Sequence, residues 1–250
     1  NIKINIDNLK PNTLIKFNND NYSFKKIILS IGKKIISDSK QKKIVFDNGD
    51  YSYVGFFKHK KDHDSIAYEI FNKEGPLAVL PCPSSNYKKS TFIFSTNKNT
   101  SLAKIKSLIN KNFYLSHGQM VFNKEIYKFP IIPHLTKFNK NFIYIGDSFK
   151  SIHPVAGQGW NLGVKDIQTL HKLIDQYSIE SELFNSIYYS RRIVESFAYL
   201  GFTSLINMLY ENQNNINSKL IKLGYKGLQN IRAIRGLCIK QAMGRLNLVD

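Results

Sequence analysis

A chain of 250 residues with 42% hydrophobic and 22% charged residues is globular in composition and long enough for one or two domains with a substantial core, which excludes disordered and collagen-like readings. No continuous apolar run approaches the roughly eighteen residues of a membrane-spanning helix, and Cys82 and Cys238, far apart and outside any CxxC or Cys/His spacing, argue against a disulfide framework, a zinc site or a redox pair. The 36 Lys+Arg against 18 Asp+Glu give a formal charge of +18, but the lysines are scattered among Asn and Ile with no helix-turn-helix, zinc-finger or RNA-binding signature, so nucleic acid is not the partner this charge points to.

Taken in chain order, Ile2, Ile4 and Ile6 alternate with polar residues as a strand does, directly after a start at Asn1 that reads as a cut in a longer chain. A second strand is predicted over Thr13–Phe17, a turn over Asn18–Tyr22, and a buried central strand over Ile27–Ile31; residues 33–43 are Lys-rich and read as a loop. Strand-like runs follow from Ile44 to about Thr96, clearest at Val54–Phe57, Leu77–Leu80 and Thr91–Ser95, and predict a mainly antiparallel sheet. Leu102, Ile105, Leu108 and Ile109 carry helical spacing over Ser101–Phe113, and the sheet region is expected to end near Phe138.

Asn141–Ile145 then reads as a short strand, Gly146–Gly159 as a loop dense in Gly and Pro, and Asn161–Ile174 as a helix with Leu162, Ile167, Leu170 and Leu173 on one side. Glu182 to about Leu248 is helical by pattern, broken by Asn212–Asn217 and by Gly224, Gly227 and Gly236.

The chemistry is concentrated in Phe142 to Asp166. A strand ending in Gly146-Asp147 sets a carboxylate at its C-terminal edge, where open α/β sheets bind ligands, and Asp147 there suits sugar-like hydroxyls. Glycines at 157, 159 and 163 let a flat ligand and a backbone come close, Pro154 stiffens the approach, and the following helix turns its N-terminal amides towards developing negative charge. Asp166 is expected on the outer part of that helix. A Gly-Asp turn or a Gly-rich loop alone is common in α/β proteins; the order and spacing together are the specific signal.

That order, GDxxxxxHPxAGQGxNLGxxD, resembles the second flavin-binding motif of the aromatic-ring hydroxylases of ubiquinone biosynthesis, within the p-hydroxybenzoate hydroxylase-like flavoprotein monooxygenases. The likeness extends to Phe71–Pro81 with its GPLA core, to Phe129-Pro130, and to a C-terminal region with Tyr189, Arg192, Arg235-Gly236-Leu237 and Ala242-Met243-Gly244, so it covers about residue 13 to the end. It implies an α/β (α+β) fold: a remnant of the FAD-binding domain over 1–43, a sheet substrate domain over 44–138, the second motif of the FAD-binding domain over 139–180, and a helical C-terminal region over 181–250. The family's opening strand, GxGxxG turn and helix are not in this sequence, which implies a fragment of a chain of roughly 400 residues.

By the same resemblance Gly146, Asp147, Pro154, Gly157, Gln158, Gly159, Asn161 and Leu162 would hold FAD, with Asp147 on the ribityl chain, Pro154 beside the isoalloxazine and Gly157 through Leu162 at its pyrimidine edge. NAD(P)H would be the electron donor, a flavin 4a-hydroperoxide the oxygen carrier, and a polyprenyl phenol the substrate, with Leu77, Leu80 and Pro81 as candidate pocket residues. The implied localisation is cytoplasmic, with a peripheral place on the inner face of the membrane and a complex with other quinone-synthesis enzymes as open partners. The chain departs from the family pattern in three places: Ser148, Phe149 and Lys150 stand where small residues and a His are usual, Trp160 where Leu is usual, and Ile31, in Ser30-Ile31-Gly32-Lys33, where an acid is expected. They keep two rivals open, a degenerate flavin-fold binding protein without redox chemistry and a flavoprotein oxidoreductase acting on another isoprenoid lipid.

No other residue reads as a site. His59 and His63 lie in a Lys/Asp-rich stretch with no third ligand and are expected in a solvated loop; no metal is predicted. His153 is expected to orient the loop, His117, His134 and His171 have no evident acid or nucleophile partner, and Cys82 reads as a small apolar residue. Asn212 to Val249 contains no acidic residue but seven basic ones beside helical apolar positions, a pattern that suits either a packed helix or a surface-lying membrane helix.

Overall fold

A computed structural model describes residues 12, 14–17, 20–33, 42–82, 88–97, 99–211 and 214–242. The strand expected at Ile2–Ile6, most of the Lys-rich loop, and Met243 and Gly244 lie outside the described residues. The chain divides into two compact units, one formed by Asn1–Phe46, Pro133–Thr203 and Lys226–Asp250, the other by Asp47–Ile132 and Ser204–Tyr225.

The first unit opens with a hairpin of β1 (Leu14–Phe17) and β2 (Asp20–Ser23). Its β3 (Ile27–Leu29) runs parallel to β11 (Phe142–Tyr144), with Ile28 opposite Ile143. Among the described residues β3 has this one neighbour, and Ile28 is 42% exposed, so the buried central strand expected there is an edge strand on this face. β4 (Lys43–Val45), β10 (His134–Thr136) and β12 (Lys150–Ser151) form a small antiparallel sheet with β10 in the middle. Two apolar clusters hold the unit. Leu29, Leu135, Tyr144, Phe149 and Leu162 form one; Ile143, Leu170, Leu173, Phe184 and Tyr188 form the other.

The second unit is a five-stranded antiparallel sheet in the order β6 (Tyr68–Asn72), β7 (Gly75–Pro81), β8 (Lys89–Thr96), β5 (Asp50–His59), β9 (Met120–Ile131). Helix α1 (Leu102–His117) starts at Ser101, whose hydroxyl accepts the Lys104 amide, and lays Ile105, Ile109 and Phe113 against Phe57, Leu77, Val79, Phe92 and Phe94 of the sheet. The β6–β7 turn admits only glycine at 75: φ is +126°, and a Cβ there would lie 1.9 Å from the Ser95 carbonyl oxygen.

Helices α2 (Gly159–Gln176), α3 (Glu182–Glu211), α4 (Asn215–Asn230) and α5 (Arg232–Ala242) complete the chain. α4 runs through Gly224 and Gly227 and α5 through Gly236, positions where breaks were expected; a glycine costs a helix only about 1 kcal/mol, which the flanking Leu and Lys offset. Leu183–Tyr210 of α3 is long and apolar enough, by length and composition, to cross a membrane, with a mean hydropathy of 1.2. It also carries Arg192 and Glu195, buried in ion pairs, as a helix packed into a folded domain does.

Candidate functional site

The site grows from the end of β11. Gly146 adopts φ +58° and turns the chain into a short 3₁₀ turn over Gly146–Ser148, a conformation costly for a residue with a Cβ. The carboxylate of Asp147 is thereby exposed beyond the C-terminal end of the strand. Neighbours fix the turn from several directions. The Gly146 amide donates to Asp166 Oδ2 at 2.9 Å, His134 Nε2 meets the Asp147 carbonyl at 3.1 Å, the Thr136 hydroxyl donates to the Ser148 carbonyl at 2.7 Å, and the Ile31 amide donates to the Ser148 hydroxyl at 2.7 Å.

Beyond β12 a second 3₁₀ turn, Pro154–Ala156, is capped by His153, whose Nδ1 accepts the Val155 amide at 3.2 Å. Burial, reinforced by the charge of Lys33, pushes this imidazole down to about 4, which suits the acceptor role of Nδ1. Gly157, at φ +59°, leads into α2, whose first residues Gly159 and Trp160 are exposed, Trp160 by 81%. Oε1 of the capping residue Gln158 accepts a hydrogen bond from Asn161 Nδ2 at 2.8 Å, and this side chain makes no cap bond to the helix amides. Nothing lies within 4 Å of a Cβ built on Gly157 or Gly159, while one built on Gly163 would meet the Gly146 Cα at 3.6 Å. The open amides and positive end of α2 thus abut the turn that carries Asp147, an arrangement suited to a flat, electron-rich ligand edge with hydroxyls nearby.

Of the eight sequence-predicted cofactor residues, Gly146, Asp147, Pro154, Gly157, Gln158, Gly159 and Asn161 are exposed or half-buried on this one strand–loop–helix unit. Leu162 points the other way and anchors α2 in the core beside Leu29 and Tyr144. Leu77 is fully buried in the sheet core, and since side chains alternate along a strand, Leu80 lies on the opposite face; the two do not line one pocket.

Asp166 is the main correction. Expected on an outer helix surface, it is 0% exposed and accepts Lys150 Nζ at 2.5 Å and Arg192 Nε at 2.8 Å on Oδ1, besides the Gly146 amide on Oδ2. Arg192 also bonds Glu195, which takes Lys165 Nζ at 2.6 Å. This buried network joins β12, α2 and α3. Burial pulls the Lys150 ammonium down to about 8, against the attraction of Asp166. Burial alone would raise the Glu195 carboxyl, but Lys165 and Arg192 outweigh it and hold the group below its ordinary value. The signal was present in the sequence: Asp166 falls between Leu162 and Leu170 at spacings of four, on the apolar face of α2.

The altered residues 148–150 are interior too, whereas Trp160 and Ile31 are exposed. Ser148 is bonded as described, Phe149 packs on Tyr188 and Tyr189, and Lys150 is the ion-pair partner of Asp166; none of the three side chains faces the open loop. His59 and His63, expected in a solvated loop, are buried to 5% exposure in the second unit. There the His59 ring lies 4.6 Å from His117 and 6.0 Å from His63, with Nε2 3.0 Å from the Ser90 hydroxyl and Nδ1 2.6 Å from the Lys61 carbonyl. The strand pairing that turns this stretch back on α1 removes it from water. Among the described residues no group of three or more His, Cys, Asp and Glu is arranged to hold a metal ion.

No family model matches the chain. It is 23% identical over 234 residues to the ubiquinone hydroxylase UbiM of Neisseria meningitidis, covering 88% of this chain and 50% of that protein. To the ubiquinone hydroxylase UbiL of Rhodospirillum rubrum it is 22% identical over 215 residues, 80% of this chain and 49% of that one. Among solved structures, p-nitrophenol 4-monooxygenase PnpA from Pseudomonas putida matches with a TM-score of 0.68 at 12% identity, over 92% of this chain and 62% of that one. The fold is shared with this monooxygenase and with the anhydrotetracycline hydroxylase OxyS of Streptomyces rimosus, which matches with a TM-score of 0.62 at 13% identity, over 95% of this chain and 51% of that one. By sequence the chain is similar to ubiquinone hydroxylases, the group its motif resembles, and it spans about half the length of the curated relatives it matches.

Proposed function

We propose that this protein is an FAD-dependent monooxygenase that hydroxylates the aromatic ring of a polyprenylated ubiquinone precursor, with NAD(P)H as electron donor and molecular oxygen as co-substrate. The observation that carries the reading is the glycine-lined, side-chain-uncapped N-terminus of α2 abutting the Gly146 turn that exposes Asp147. A cradle that a Cβ would begin to fill, next to an exposed carboxylate, fits a flavin. FAD, when bound, supplies the electron transfer and oxygen activation that side chains cannot.

The chain's own residues do the rest. Asp147 accepts hydrogen bonds from ribityl hydroxyls. The first amides of α2, from Gly159 onward, with the positive end of the helix behind them, would stabilise negative charge on the pyrimidine edge, and Pro154 would stiffen the loop beside the ring. Lys150, Asp166, Arg192 and Glu195 keep these groups in register by fixing the Gly146 turn to α2 and α3. Ser148, Phe149 and Lys150 occupy packing positions, which supports a retained flavin site over a degenerate one.

The test is flavin retention by protein expressed from its complete reading frame: absorbance in the flavin bands and FAD released on denaturation. Stoichiometric FAD that weakens in Asp147→Ala is the expected result, and protein that takes up no FAD overturns the reading. For the substrate, a deletion strain is expected to accumulate a polyprenylated ring lacking one hydroxyl. Unchanged quinone intermediates would remove the ubiquinone assignment while leaving the cofactor intact.

A further inference from the structure

We propose that α4 and α5 form a cationic amphipathic segment that docks this protein on an anionic lipid surface. The inference is independent of the flavin reading and rests on three observations. The first is uncovered apolar area. Over residues 215–240 of α4 and α5 every residue is exposed or half-buried, and Ile216, Leu220, Leu223, Tyr225, Leu228, Ile234, Leu237 and Ile239 are between 37% and 69% exposed. A helix that packs on its own domain buries its apolar side, as α2 does through Leu162, Leu170 and Leu173.

The second is order. In α4, Ile216, Leu220, Leu223 and Gly227 recur at spacings of four, three and four and make one stripe. Lys219, Lys222 and Lys226 recur at three and four, one position ahead of the last three members of that stripe, and make the stripe beside it. Lysine stems can then lie along an apolar surface while their ammonium groups reach a headgroup layer. The run continues nearly unbroken into α5, since the Ile231 amide bonds the Gly227 carbonyl at 2.9 Å and the Arg235 amide the Ile231 carbonyl at 3.1 Å.

The third is charge. Residues 212–249 hold seven basic residues and no acidic one, in a chain that carries 18 Asp+Glu. A second copy of this chain would set like charges together with no carboxylate to pair them. A nucleic acid would use the cations and leave the leucines and isoleucines in water. An anionic bilayer takes both, burying the apolar stripe at the headgroup boundary and drawing the lysines by its surface potential.

The experiment measures co-sedimentation with vesicles of phosphatidylglycerol and phosphatidylcholine. In parallel, a Cys82→Ser variant carries an environment-sensitive dye on the exposed Cys238 of α5. Binding is expected with a blue shift of the dye, weaker at high salt and on pure phosphatidylcholine. The combined Lys219→Glu, Lys222→Glu and Lys226→Glu variant should lose at least about tenfold in affinity, and Leu220→Ser with Leu223→Ser should also weaken binding at unchanged charge. All five substitutions are at exposed positions, and thermal unfolding is used to verify that the variants remain folded. Absence of vesicle binding overturns the proposal, as does binding indifferent to the lysine reversals. Binding lost in the lysine variant but kept in the leucine variant marks simple polyanion adsorption and also overturns it. So does vesicle-free self-association abolished by the same substitutions, which would assign the face to a second copy.

Discussion

Asp166 Oδ2 accepts the amide of Gly146 at 2.9 Å, across twenty residues of sequence, so a carboxylate of α2 fixes the turn that exposes Asp147. Its other oxygen takes Lys150 and Arg192, and all three side chains are at most 5% exposed. The motif's last acidic residue therefore acts from inside the domain, while its first faces solvent.

Removal of Asp166 leaves two buried cations short of their counter-charge. Asp166→Ala is expected to destabilise the protein by about 3–5 kcal/mol, the range for breaking a buried ion pair from one side. Chemical denaturation measures it, and a loss within 0.5 kcal/mol, about what a surface substitution costs, would show that the network contributes little.

Lys150→Met should cost clearly less than Asp166→Ala. Asp166 then keeps Arg192 Nε and the Gly146 amide, and the methionine spares the desolvation of an ammonium that burial already holds down to about 8. The two variants compared in one denaturation series decide this; the reverse ranking would make Lys150 the anchor of the network.

Asp147→Ala is expected to weaken FAD binding by roughly 1–3 kcal/mol, the scale for losing a charged hydrogen-bond partner. Because Asp147 is exposed, unfolding should be nearly unchanged. Titration of apoprotein with FAD separates the two effects, and equal affinity for both proteins removes Asp147 from the site.

Acid should destabilise both units. His117 and His153 are each pushed down to about 4 by burial, His117 further by His59 and His63, and His153 by Lys33. A histidine whose folded value lies below its unfolded 6.5 contributes stability that is present above pH 6.5 and lost as pH falls towards about 4, because the unfolded chain binds more protons in that window. Stability measured from pH 7 to 4 is expected to fall. In His117→Asn the second unit should show a flatter profile, and an unchanged slope would show that this histidine titrates normally.

Gly75→Ala should be among the most damaging single-methyl additions. The φ of +126° is strained for alanine, which costs of order 1–3 kcal/mol, and the new Cβ would meet the Ser95 carbonyl oxygen at 1.9 Å. Wild-type stability in this variant would mean that the β6–β7 turn relaxes freely.

Local signals carried much of the molecule. Short runs rich in β-branched, aromatic and aliphatic residues marked β5, β7 and β8, because such side chains fit a pleated sheet, and Leu102, Ile105, Leu108 and Ile109 marked α1, because side chains at helical spacing meet one face of whatever they pack on. The strand, loop and helix of Phe142 to Asp166 were legible for the same reason, together with the backbone demands of Gly146 and Gly157. Tertiary structure decided what has no local period. It placed Asp166 inside, with Lys150 and Arg192 brought from 16 positions before and 26 after. It gathered His59, His63 and His117 in one dry corner, and it put Leu77 in the core with Leu80 on the other face. The physical reason is that a charge or an imidazole is polar by composition wherever it stands, and only partners distant in sequence determine whether it can be taken out of water.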